Sequence, residues 1–82
     1  MKKKKKQLHQ IKYIVEKHPD TYIAYPLGIK GACVSQGDTY DEALAEVKVM
    51  LKGMIETFGS DIIDDVDDPV MAVFVAEGEV AA

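Results

Sequence analysis

Cysteine is nearly missing from this 82-residue chain, in which Cys33 stands alone. One thiol closes no internal disulfide and leaves no second sulfur for a metal motif, so Cys33 reads as a small buried residue. Long apolar runs are missing too, and nothing approaches the roughly 18 residues that cross a bilayer. The lysine-rich start has no apolar signal-peptide core behind it, and the expectation is a cytoplasmic protein. Signatures of catalysis are equally scarce. Gly28, Gly31 and Gly37 are not followed by Lys-Ser/Thr, so none opens a phosphate cradle. Neither Ser35 nor Ser60 sits between the two glycines of a Gly-x-Ser-x-Gly nucleophile elbow. His9 and His18 have no cysteine or histidine at zinc-ligand spacing. The expectation is therefore not an enzyme, with no cofactor and no resident metal.

What is present suits one small globular domain: 48% hydrophobic and 29% charged residues, and a length that allows a modest core. The net charge of −4 hides an asymmetry. Five of the ten positive charges sit in Lys2–Lys6, so the rest of the chain sets 5 against 14 negative charges, a net of −9. A body that acidic repels phosphates, so direct DNA binding is not expected, and a basic partner suits it better. Residues 1–10 read as a lysine-rich, solvated arm with no aromatic to stack on a base. Residues 11–82 read as a single domain.

Along the body, Ile11–Lys17 alternates, with Ile11, Tyr13 and Val15 on one face and Lys12, Ile14 and Glu16 on the other, the pattern of a strand. His18-Pro19-Asp20 is turn chemistry. Tyr22–Tyr25 is a second strand ended by Pro26, close enough to the first for an antiparallel hairpin. Ala32–Gln36 gives a third strand leading into a Gly37-Asp38 turn. Thr39 then opens a Thr-Tyr-Asp-Glu box. Its hydroxyl can cap a helix while Glu42 reaches back to the backbone donor of Thr39. Tyr40, Ala43, Leu44, Val47, Met50, Leu51, Met54, Ile55 and Phe58 follow at helical spacing, and Gly59 supplies a stop signal. After an aspartate-rich stretch closed by Pro69, Val70–Ala76 is apolar without alternation, which implies a strand buried on both faces.

The expected fold is α+β, a two-layer β-β-β-α-β arrangement. It has a four-stranded mixed sheet, a right-handed crossover that makes the third and fourth strands parallel, and the helix on one face. One helix leaves the other sheet face and part of the last strand uncovered, which points to a homo-oligomer, a dimer or higher.

Two candidate sites compete. Asp61, Asp64, Asp65, Asp67 and Asp68 cluster after the helix, but their spacing lacks the alternation and central glycine of a calcium loop, and a solvated acidic loop is the plainer reading. On the helix, Glu42, Glu46, Val49, Gly53 and Glu56 fall together opposite the core stripe. An exposed valine beside a glycine, rimmed by glutamates, forms a small apolar notch suited to a basic partner.

The core of Gly31–Ala43, GACVSQGDTYDEA, together with the preceding Tyr-Ile-Ala-Tyr-Pro-Leu, resembles the signature of HicB-type antitoxins. There too a strand meets a Gly-Asp-Thr turn and an Asp-Glu-Ala or Glu-Glu-Ala helix start, and the likeness spans about residues 11 to 76. Gly31-Ala32-Cys33 departs from the commoner Pro-Gly-Cys form. The resemblance implies a partially degraded RNase H-like fold that binds and blocks a small basic mRNA-cleaving toxin (HicA-like). Here it would be a stand-alone form without a DNA-binding domain. The alternatives are a degenerate RNase H-like metal-dependent nuclease using Glu16 and Asp64–Asp68, or an orphan oligomeric scaffold.

Overall fold

The computed structural model describes residues 10–63 and 70–82, so the lysine arm and the Asp64–Asp68 cluster lie outside the described residues. Three strands and one long helix appear in the expected order: β1 (Tyr13–Lys17), β2 (Tyr22–Pro26), β3 (Ser35–Gly37) and α1 (Tyr40–Phe58). A single 3-10 turn, Ser60–Ile62, follows the helix.

The three-stranded sheet has the order β1-β2-β3 and is antiparallel throughout. The hairpin expected from the short His18-Pro19-Asp20 link is present, with Val15 opposite Ala24 and Glu16 opposite Ile23. Ala24 in turn faces Ser35 on β3. Ile11, Tyr13 and Val15 pack toward the core as the alternation requires. Ile14, Glu16, Ile23 and Tyr25 occupy the opposite face of the sheet and are half-buried.

The core is small. Ala24, Cys33, Ala43, Val47 and Leu51 form its buried centre, with Leu44, Met50, Met54 and Ile55 packed around it. Cys33 is buried, as expected of a lone thiol in this chain, and burial pushes its pKa up. Burial first, and Cys33 second, also raise the Tyr13 phenol.

The helix runs over the residues its spacing requires, yet two members of the apolar stripe stay in water. Tyr40 is 53% and Phe58 is 68% exposed. Length explains this. A 19-residue helix is about 28 Å long at about 1.5 Å per residue, whereas a five-residue strand spans about 17 Å. The helix is longer than the strands it packs on, and its terminal aromatics are the members of the stripe left most exposed. Leu44 is likewise half-buried rather than buried.

The end of the chain departs from the sequence expectation. Ile63 forms an antiparallel bridge with Ile29, and Lys30 N–H donates to the Ile62 carbonyl at 2.6 Å, so this segment rejoins the β2–β3 connection. Residues 70–82 carry no regular secondary structure and are exposed. The sheet of the described residues therefore has three strands, and Val70–Ala76 does not form a fourth one in the single chain. A run that is apolar on both faces needs partners on both faces, and among the described residues of the single chain Val70–Ala76 is covered on neither.

Candidate functional site

The joint between β3 and α1 decides where the helix lies. The Thr39 side chain accepts a hydrogen bond from Glu42 N–H at 3.1 Å, and the Thr39 backbone is extended (φ −134°), as a cap residue must be. Glu42 reaches back as the capping box requires, but one residue further than expected: its Oε1 accepts from Asp38 N–H at 2.9 Å, not from Thr39. Asp41 and Glu42 add favourable negative charge to the first turn.

Two further contacts bolt this end to the sheet. The Ser35 hydroxyl, buried, donates to the Ala43 carbonyl at 2.7 Å. A Cβ on Gly37 would stand 2.6 Å from Ala43 N and 2.9 Å from Glu42 Cβ, so no larger residue fits between strand and helix. Thr21 fixes the same glycine from the other side by donating to its carbonyl at 3.1 Å. The Ser-Gln-Gly-Asp-Thr segment thus couples the sheet mechanically to the helix. At the far end, Gly59 holds φ +90° and ψ 166°, a glycine-only conformation that stops the helix after its N–H bonds the Ile55 carbonyl at 2.7 Å.

With the core stripe bound to the sheet, the opposite stripe faces water. Glu42, Glu46, Val49 and Glu56 are exposed and Gly53 is half-buried, and all five lie on one side of α1 at intervals of three and four residues. Val49 is 68% exposed, the largest apolar surface on that side. A Cβ on Gly53 would meet nothing within 4 Å, so packing within the chain does not require a glycine there. Lys48 and Lys52 are exposed on one flank of the stripe, giving the surface a basic edge beside an acidic centre.

The other sheet face carries a cluster that sequence reasoning missed. Glu16 spends both carboxylate oxygens: Tyr25 OH donates to Oε2 at 2.9 Å, and His18 Nε2 lies 2.8 Å from Oε1. The hydrogen bond from His18, and then that from Tyr25, lower the Glu16 pKa, while the bond to Glu16 raises that of Tyr25. Alternation alone puts Glu16 and His18 on one side of β1. Tyr25 joins them only through the register, which sets it opposite Ile14 and diagonal to Glu16.

Among the described residues, no three His, Cys, Asp or Glu side chains come together to hold a metal ion, and no helix is long and apolar enough to cross a membrane. The arrangement leaves two surfaces: an acid-rimmed helix face on one side and a half-buried, mixed apolar and polar sheet face on the other. No family model, curated protein or solved structure matches the chain.

Proposed function

We propose that this is a HicB-like antitoxin-type binding protein, cytoplasmic and non-enzymatic, that neutralises a small basic mRNA-cleaving toxin. The observation that carries the reading is the outer stripe of α1, where Glu42, Glu46 and Glu56 surround the exposed Val49 and the bare backbone at Gly53. A protein that cleaves RNA must present cationic groups to the phosphate backbone. An acidic helix laid on that surface excludes the RNA, and the notch at Val49 and Gly53 accepts an apolar side chain that fixes the register. The body's net charge of −9, from 14 acidic and 5 basic residues outside Lys2–Lys6, steers the two together over the Debye length of about 8 Å at physiological salt.

The finer fold belongs with this proposal: a degenerate RNase H-like domain whose four-stranded sheet is completed by Val70–Ala76, working as a homo-oligomer. The three antiparallel strands, the helix on one face and the capped Gly-Asp-Thr joint are compatible with it. The nuclease alternative draws less support, since Glu16 already commits both oxygens to Tyr25 and His18. The test is co-expression with the product of a short basic reading frame adjacent to this gene, followed by pull-down and growth rescue. The antitoxin reading requires both capture and rescue, and loss of both rejects that neighbour as the target.

A further inference from the structure

Among the described residues two parts lack partners, and each has what the other needs. The first is the outer edge of β1. Leu27 N–H donates to the Lys12 carbonyl at 2.9 Å and His18 N–H to the Thr21 carbonyl at 2.8 Å. Lys12, Ile14, Glu16 and His18 therefore turn their backbone groups toward β2. By the alternation of an antiparallel ladder, Tyr13, Val15 and Lys17 turn theirs away from the sheet. Among the described residues no strand pairs with that edge. The opposite edge, β3, is only three residues long.

The second is Val70–Ala76. Val70, Met71, Val73, Phe74 and Val75 are exposed, Phe74 by 89% and Val75 by 92%. An apolar run left in water marks a contact site or an aggregation hazard, and an open edge is the natural template for it. The segment is apolar on both faces, which fits a strand with one face continuing the helix-covered core and the other lying beside Ile14. Charge agrees as well. β1 is bracketed by Lys12 and Lys17, whereas the apolar run is bracketed in sequence by Asp67-Asp68 before it and Glu77 and Glu79 after it, so opposite charges meet at both ends of such a pairing.

We propose that Val70–Ala76 of one copy adds as a strand to the β1 edge of a second copy, which returns the same contact. Every chain carries both the free edge and the free strand, so one two-fold axis satisfies both at once and closes the assembly as a symmetric dimer. The proposal makes specific the self-association invoked above and is independent of the toxin partner.

The experiment combines sedimentation of the full chain at tens of micromolar with isotope-filtered NMR on an equal mixture of labelled and unlabelled copies. The parent is expected to sediment at twice the chain mass and to show slowed amide exchange at Tyr13, Val15 and Lys17. It should also show contacts between Val73 or Val75 of one copy and β1 of the other. Val73→Pro, which removes a ladder donor, and Val75→Asp, placed at a side chain that is 92% exposed in the single chain, are both expected to sediment as monomers with helix content unchanged. A parent that is monomeric at that concentration overturns the dimer altogether. Contacts confined to single copies overturn the exchange in favour of a strand docked on its own sheet. A dimer that survives both variants leaves self-association standing but removes the C-terminal segment from it.

Discussion

Gly31–Gly59 and Val70–Ala82 are both rich in apolar residues, yet only the first is packed into the core of the single chain. The first segment has a period. Its apolar residues recur every three or four positions, a threonine caps its start, a glycine ends it, and a buried serine ties it to the neighbouring strand. The second has Val, Met, Ala and Phe in succession with no period and no cap, and it lies exposed. Apolar content alone does not place a segment. A pattern that presents one face to an existing surface does, because the remaining face can stay in water.

The contrast can be broken most forcefully at Leu51, which is 3% exposed in the core centre. Leu51→Ala should cost about 2–5 kcal/mol, measured by urea unfolding. Phe74→Ala in the tail should stay within about 0.5 kcal/mol in dilute solution, where association is suppressed. Gly37→Ala should come next, at about 1–3 kcal/mol, because its Cβ meets the Ala43 and Glu42 backbone and cannot be relieved by moving a flexible side chain. A smaller effect of opposite sign is expected at Gly53, where Ala meets nothing within 4 Å. Gly53→Ala should stabilise by up to about 1 kcal/mol while weakening partner capture by filling the notch. A stabilised variant with undiminished capture would separate Gly53 from the interface.

The smallest effect is a pH dependence. The Glu16 pKa is lowered by His18 and then by Tyr25. A lowered folded-state pKa gives stability that is present above the ordinary carboxylate value of about 4.3 and is lost as pH falls through the folded value. Glu16→Gln should therefore lose less stability than the parent between pH 5 and pH 2, in paired unfolding curves. Equal losses would mean that the Glu16 contacts are too exposed to matter.

Much of the body was legible because short-range chemistry decides it. The Pro19 turn, the alternation of Ile11 to Val15, the Thr39 cap and the helical stripe each follow from a few adjacent residues. What depended on distance was less legible. The exposure of Tyr40 and Phe58 depends on how short the strands are beside a 19-residue helix. The Glu16–Tyr25 contact depends on a register that the turn sets. The composition of the Val70–Ala76 run points to a strand, but a strand exists only where an edge receives it. The candidate helix face, by contrast, could be drawn from the wheel alone, because burying one stripe of a helix exposes its opposite.

The most direct test of that face is binding of the adjacent small basic protein to the parent and to Val49→Lys, titrated at low and high salt. Val49 lies off the core, so the substitution should leave unfolding within about 0.5 kcal/mol. If the glutamate-rimmed notch is the interface, parent affinity falls as salt rises, and Val49→Lys binds more weakly than the parent at every salt concentration. Equal binding by Val49→Lys and parent would contradict it and move the interface off α1.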